Sequence, residues 1–574
     1  MNQPQRFPVV LLWHMHQPHY KDALSNQYIL PWTYLHAIKD YVDMAAHLEA
    51  NPGARAVVNF TPVLIEQLEE LADRVTLHLA KGTELPDPLL AMLGSAPLPQ
   101  DAATRMTLVK ACLKANRERL IDPYPAFARL AELAGLFGSS ENIAYVSDQY
   151  LRDLAVWYHL AWLGETVKRG NARVAALMER QRDFTPQHCR SLLELIGELL
   201  VGVIPRYRRL AEQGRCELAV SPYGHPILPL LHDFNAARES NPGSALPRAP
   251  AYPGGDERAE WHMREAVRVF ERAFGRKPRG CWPSEGAISA STLQLIDRCG
   301  FDWLATGGAV LHGCLAAVPP GGERDGVMPE SHGWSVPGQR LSCFFRHDDL
   351  SDTIGFVYSK WHGDDAVRHF VQQLENAAKH AQHHGGQLLL IALDGENAWE
   401  YYPFNGFYFL QGLYAALASH PWLQLQTLSE YVDSGARSLP LQAVVAGSWV
   451  HGTLATWMGD RDKNAGWDLL VEAKQAVDKV LAARSLSGAQ RQRIERQLAL
   501  CESSDWFWWF GDYNPSEAVQ DFDMLYRHQL ALLYQLLGQT PPASLSQPLS
   551  TGRRVAAGER DTAEVAGVMR RAHE

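Results

Sequence analysis

The chain has 574 residues, enough to bury a large core and to hold more than one folding unit. Its 46% hydrophobic and 21% charged residues are ordinary for a soluble globular protein, and a net charge of -10 leaves no basic excess to neutralise phosphates, which argues against a nucleic-acid partner. Eight cysteines lie scattered with no CxxC pair, a usage that suits a reducing cytoplasm.

The N-terminus, MNQPQRFPVVLLWHMHQP, has no cationic start, and its apolar run of five residues before His14 is too short for a signal-peptide core or a membrane span. The expectation is a cytoplasmic protein with no membrane partner. Residues 9–13 read as a short buried strand. Beyond them, His14 and His16 share one side of an extended chain, followed by Gln17 and His19. Imidazoles so placed can chelate zinc, or they can hydrogen-bond sugar hydroxyls together with the glutamine amide.

A second strand is predicted at 56–60. Residues from about 62 to 210 are then largely helical in pattern, including 148–163 and 189–204, and read as an insertion; the basic run at 206–209 reads as a solvated helix face. Residues 216–220 form the next strand, with Glu217 inside it and His225 in a loop stiffened by Pro222, Pro226 and Pro229. The stretch 235–255 is rich in Pro, Gly and Ala and reads as a lid or binding loop. After a helix at 261–274, a strand at 280–282 enters Trp282, Pro283 and Glu285. Glu285 is either a first-turn acid behind a Ser284 N-cap or a functional carboxylate at a strand end.

A helix at 290–299 and strands at 303–306 and 341–345 follow, the latter running into Arg346, His347, Asp348 and Asp349. The most informative stretch is QLLLIALDGENAWEYY, residues 387–402. Its apolar strand, 388–393, ends abruptly in Asp394, Glu396 and Glu400, with Asn397 and Trp399 between them. Burial and like charge raise carboxyl pKa values there, a cost that folding alone does not reward. From about 430 the pattern is again helical, notably 465–483 and 518–537. CESSDWFWWFGDYN, residues 501–514, sets Trp506 and the four aromatics that follow it beside Glu502 and Asp505, as a core stripe or as a wall for sugar rings. The 17 tryptophans suit such stacking.

Strands alternating with helices predict an α/β protein with a parallel sheet, and about seven strands with long connections favour a barrel-like arrangement. The expected domains are a catalytic barrel over 1–430 with its insertion, a helical domain over 431–540 that completes the active site, and a disordered tail over 541–574. Two carboxyl groups from different strand ends are what glycoside hydrolysis requires.

Five segments together resemble the ordered motifs of glycoside hydrolase family 57: HQP at 16–18, SPYGHPILP at 221–229, WPSEG at 282–286, LDGEN at 393–397 and SDWFWWFGD at 504–512. Within that family they are most similar to the amylopullulanase and α-amylase types. Gly286 and Ala287 stand where its branching enzymes usually carry a cysteine-glycine pair, and Gly224 stands where many members have an aromatic residue. The resemblance implies an incomplete (β/α)7 barrel with a helical C-terminal region. It also implies a retaining mechanism on α-glucans or maltooligosaccharides, with Glu285 as nucleophile and Asp394 as acid/base. It places His14 and His16 around the sugar, so no metal and no cofactor is expected. His14, His16, Glu217 and His225 are candidates to hold sugar hydroxyls, with His347, Asp348, Glu396 and Asp505 as further binding residues; Trp282, Trp399 and Trp506 are candidates for stacking.

Alternatives from the same chemistry are a 4-α-glucanotransferase or a branching enzyme. Outside it stand a zinc-dependent polysaccharide deacetylase using the histidines and Asp394, and a catalytically silent glucan-binding protein.

Overall fold

Near-continuous apolar strands such as PVVLLW belong in a parallel sheet covered on both faces. The computed structural model describes residues 6–137, 142–318, 328–483 and 485–553. Among these residues ten strands form one sheet: β1 (Phe7–Met15), β2 (Ala56–Phe60), β3 (Cys216–Val220), β4 (Gly280–Cys281), β5 (Trp303–Thr306), β6 (Trp334–Ser335), β7 (Ser342–Phe345), β8 (Leu389–Asp394), β9 (Leu423–Leu425) and β10 (Leu439–Pro440). The order is β10-β6-β7-β5-β4-β3-β2-β1-β8, with β9 also beside β1. All pairs are parallel except β6 with β7. His347, just beyond β7, donates its backbone N–H to Leu390 of β8 at 2.8 Å. The sheet therefore curls until its seven principal strands almost meet, an incomplete (β/α)7 barrel in agreement with the sequence. Those seven strands coincide with the seven predicted; β6, β9 and β10, of two or three residues each, are too short to carry a periodic signal.

Period-two alternation sorts the strand residues. Val10, Leu12, Val57, Ala219, Trp303, Ala305, Phe344, Leu390 and Ala392 fill the barrel interior in one buried cluster with Trp282, floored by Leu428 and Tyr431 of the helix Leu428–Asp433. The odd-numbered residues Val9, Leu11 and Trp13 of β1 join the larger cluster between sheet and helices. The inward parity continues to His14, Asn59, Ser221, Arg346 and Asp394, so alternation itself carries these polar residues to the barrel's C-terminal mouth. That is where ligands bind in parallel α/β folds.

The helical insertion lies between β2 and β3, framed by helices Pro62–Lys81 and Pro186–Glu212. The C-terminal helices Arg461–Ala483, Gly488–Cys501, Ser504–Trp509 and Ser516–Leu536 pack on the barrel. Glu502 anchors them: it is buried and accepts from Arg258 and His262 at 2.7 Å and from the Tyr252 hydroxyl at 2.5 Å. Among the described residues no helix is long and apolar enough to cross a membrane.

The far end of the 235–255 stretch is tied to the C-terminal helices, since Arg248 and the Ala249 N–H both bond Asp468 at 2.9 Å and Tyr252 bonds Glu502. One expectation is corrected. The tail is ordered as far as residue 553: Leu549 and Ser550 donate to Asp523, and Arg553 donates to Asn514 at 2.8 Å. Residues 554–574, which the predicted disorder also covered, lie outside the described residues.

Candidate active site

A cleft of about 360 Å³ opens at the C-terminal ends of the strands, lined by His14, His16, Glu285, Arg346, Asp348, Asp394, Glu396, Trp449 and Trp508 among others. Strand register places His14 level with Asn59 on one side and Asp394 on the other.

Glu285 sits in a three-residue turn, Ser284–Gly286, after β4, with a left-handed backbone at φ 55°. A non-glycine residue there costs about 1–2 kcal/mol, strain that persists only where the surroundings impose it. The surroundings are visible: the Trp449 backbone N–H donates to the Glu285 carbonyl at 3.2 Å, and residues 288 and 447 form a bridge. A Cβ on Gly307 would lie 2.6 Å from the Trp449 Cα, so only glycine admits that segment. The helix after the turn is capped by Ser289 rather than Ser284, so Glu285 is not a first-turn acid. Its carboxylate is 5% exposed and accepts from the Trp449 indole N–H at 3.1 Å. Burial, then the charge of Asp394, pushes it up to about 8.

Asp394 ends β8 and accepts from the Asn397 amide at 2.8 Å. Burial raises it to about 6, against the hydrogen bond from Asn397 and the positive influence of His16 and Arg346. The direction is that expected from the sequence, and of the two expected causes, burial and like charge, burial carries it. Glu396 is raised well above the carboxylate range, by burial first and by Asp394 second. One of its oxygens accepts from Gln17, the His16 N–H and Tyr41; the other, Oε2, has no partner.

Three imidazoles line up beside the acids. His14 Nδ1 lies 2.6 Å from Asn59 Oδ1, which can only accept, so the neutral ring donates there and keeps Nε2 as an acceptor. Burial lowers its pKa to about 3, which keeps it neutral. His16 Nε2 lies 2.8 Å from Asp505 Oδ1, and its ring centroid is 3.8 Å from that of His225. His225 has a left-handed backbone at φ 57°, its Nδ1 is 3.0 Å from Ser504 Oγ, and its Nε2 is unpartnered. Gly224 is explained by the helix Gly488–Cys501: a Cβ at 224 would lie 2.4 Å from the Ala499 carbonyl, so no aromatic side chain fits there.

The structure thus brings together His14, His16, His225, Glu285, Asp394, Glu396 and Asp505. It separates others. Glu217 has the inward parity but the wrong level: at the base of the barrel it accepts from Trp303 at 2.8 Å and from the Ser429 N–H at 2.9 Å. Trp506 is fully buried against Phe522 and Tyr526 and bonds the Leu500 carbonyl. Trp399 is buried behind the loop that follows β8, its indole N–H on the Gly395 carbonyl at 2.9 Å. Trp282 is buried inside the barrel against Trp449. His347 caps the short helix Asp348–Asp352 and lies outside the cleft lining. Asp348 lines the cleft, but its oxygens are engaged by the Gly308 and Ala309 N–H groups and by Arg346 at 2.7 Å.

Trp449, Trp508 and Phe356 are cleft residues that sequence reasoning missed. Trp449 sits in the irregular stretch between Pro440 and Arg461, where no periodicity marks it. Trp508 is two positions from Trp506 on one helix, and only the helix orientation tells them apart. Phe356 lies beyond the acids that follow the predicted strand at 341–345 and is 44% exposed. As for metals, donor atoms of His16, His225 and Asp505 lie within 4.8 Å of one another. Asp394, the ligand foreseen for a zinc site, is not in that group.

A family model described as Glycosyl hydrolase family 57 matches residues 10–443. Comparison with curated proteins gives no match. Among solved structures, a GH57 branching enzyme from Thermococcus kodakaraensis, in complex with glucose, is similar at a TM-score of 0.57 and 14% identity, over 98% of this chain and 95% of that one. A GH57-type branching enzyme from Pyrococcus horikoshii gives 0.57 and 15%, over 98% and 95%. The α-amylase AmyC from Thermotoga maritima gives 0.57 and 13%, over 93% of each chain. At such identities the likeness is one of fold.

Proposed function

The chain belongs to glycosyl hydrolase family 57, and from that premise we propose that this glycoside hydrolase cleaves α-glucosidic bonds in α-glucans or maltooligosaccharides by double displacement. The observation that carries the reading is the pair of buried carboxyls, Glu285 and Asp394, facing one cleft, with the charge of Asp394 helping to raise Glu285.

Raised to about 8 and about 6, the pair holds one proton over that interval. Double displacement needs that count: one carboxylate to attack the anomeric carbon and one acid to protonate the departing oxygen. In the free protein burial favours the proton on Glu285. Positive charge developing on the sugar beside Glu285 favours its ionised form, as does the Trp449 N–H, and the proton then belongs to Asp394. Asp394 next removes a proton from water, whose oxygen bonds the anomeric carbon as the covalent glycosyl-Glu285 bond breaks and Glu285 is released as a carboxylate. His14 Nε2 is an acceptor without a protein donor, and the unpartnered Glu396 Oε2, on a carboxyl that burial keeps protonated, is a donor; both are suited to sugar hydroxyls, and Trp508 and Phe356 supply apolar faces. The eight thiols are free and seven are buried, which supports a reducing compartment.

Product analysis with one maltooligosaccharide tests the proposal. Shorter products that vanish in Glu285→Gln and Asp394→Asn are expected. Products longer than the starting sugar make the chain a transferase. One observation favours a zinc reading, the convergence of His16, His225 and Asp505. Stoichiometric zinc in purified protein, with deacetylation in place of glycosidic cleavage, would establish that reading.

A further inference from the structure

Behind the acid/base loop lies a second cavity of about 560 Å³, within the range of small-ligand sites, lined by Lys39, Tyr124, Arg169, Trp399, Glu400 and Phe404 among others. Glu400 is 3% exposed, and neither of its carboxylate oxygens has a hydrogen-bond partner. Buried polar groups are almost always satisfied, so two orphan oxygens on one cavity wall call for a ligand. The Lys39 ammonium lines the same cavity. It donates to Asp40 at 2.6 Å and to Asn405 at 3.0 Å, leaving one of its three donors unspent.

The rim is formed by an unusual turn. Phe404, Asn405 and Gly406 are consecutively left-handed, at φ 53°, 53° and 68°. Asn405 secures the turn by accepting from Lys39 and donating to Asp43 at 2.9 Å. The consequence is a phenyl ring held outward, 54% exposed, at the cavity edge.

The lining selects the ligand by exclusion. An anion would meet the unpaired Glu400, while Arg119, Lys168 and Arg169 are already paired with Glu118 and Glu165. A free cation would meet those same positive side chains. A neutral molecule bearing both hydroxyl donors and acceptors, with an apolar face for a ring, suits all of them. We propose that this cavity is a second saccharide-binding site, in which Glu400 accepts from sugar hydroxyls, Lys39 donates to one, and Phe404 stacks on the sugar face. That the sugar is a glucosyl unit rests on the α-glucan function proposed above; the neutral polyhydroxyl class does not. Trp399 joins the two sites, since it lines this cavity and bonds the carbonyl of Gly395, next to Asp394.

Titration calorimetry of the full chain carrying Glu285→Gln, with maltotriose, cellotriose and xylotriose in turn, tests this. Two binding events are expected for maltotriose. Phe404→Gly removes the ring and relieves the left-handed strain; Glu400→Leu removes both acceptors. Each should weaken one event at least tenfold and leave the other unchanged. The site is refuted when no saccharide of the set binds in an event that both variants weaken. Cellotriose or xylotriose bound in such an event, by a chain that hydrolyses no α-glucan, retains the site and removes the α-glucan reading.

Discussion

Trp449 grips Glu285 twice, its indole N–H on the carboxylate at 3.1 Å and its backbone N–H on the carbonyl at 3.2 Å. The first bond favours the ionised carboxylate, and the second helps hold the left-handed turn. Trp449→Phe keeps the ring and the backbone bond but removes the indole donor. A hydrogen bond to a charged group contributes about 1.5–3 kcal/mol. The expected result is a fall in kcat of roughly 10- to 100-fold with little change in melting temperature. Equal kcat in Trp449→Phe and wild type would show that the indole N–H has no part in the reaction.

The pair of carboxyls predicts the pH profile. Below about pH 6 both are protonated and the nucleophile is lost; above about pH 8 both are ionised and the acid is lost. Activity should therefore be bell-shaped, with a maximum near pH 7. In Asp394→Asn the charge that raises Glu285 is gone, so the Glu285 carboxyl should titrate lower, measurable as the pH dependence of glycosyl-enzyme formation from a substrate with an activated leaving group. A profile that rises through pH 9 without an alkaline limb contradicts the shared proton.

Trp506 and Trp508 test how aromatic residues divide between core and cleft. Trp506→Ala deletes a fully buried ring, a change that costs about 3–5 kcal/mol, and should lower the melting temperature without altering KM for the residual folded enzyme. Trp508→Ala, on the cleft wall, should raise KM for maltooligosaccharides about tenfold at a smaller cost in stability. Reversed outcomes would exchange the two assignments.

The barrel was legible because its strands announce themselves twice, by apolar runs and by the acids and histidines that interrupt them. His14, Glu285 and Asp394 each stand at such an interruption. Depth along a strand was not legible. Glu217 and His14 both point inward, but one lies at the base and the other at the mouth, and alternation is the same for both. Aromatic partition was equally hidden, because SDWFWW offers four rings and only the packing of the helix against Phe522 and Tyr526 decides which face the cleft. Trp449 left no signal at all, since irregular backbone has no period. For 235–255, proline and glycine forecast an irregular path, but not the contacts with Asp468 and Glu502 that tie its far end to the C-terminal helices.

Glu217 follows from the same point. Its bonds to Ser429 and Trp303 tie the helix Leu428–Asp433 to the barrel floor. Glu217→Ala leaves the Ser429 N–H without its acceptor, at about 1–3 kcal/mol in a buried setting, and leaves the Trp303 N–H only the longer bond to Ser429 Oγ at 3.3 Å. The expected phenotype is a lower melting temperature with unchanged KM and an unchanged pH optimum. A large rise in KM with normal stability would return Glu217 to the sugar site.

The two buried carboxyls should also be a burden on folding, and pH should reveal it. The Glu285 carboxyl is raised to about 8 in the folded chain, against its ordinary value of 4.5. Below the ordinary value both states are protonated and ionisation costs the fold nothing. Through the window from about 4.5 to about 8 the folded state binds the extra proton, so stability falls as pH rises; above that window the full penalty applies. Glu285→Gln cannot ionise and escapes the loss. Denaturant unfolding at pH 5 should find the variant and the wild type within a fraction of a kcal/mol. At pH 9 the variant should be the more stable by on the order of 4–5 kcal/mol, the scale of a shift of this size. A stability difference that stays constant from pH 5 to pH 9 would mean that Glu285 ionises as easily in the fold as in the unfolded chain, and the proton shared with Asp394 would then have to be sought elsewhere.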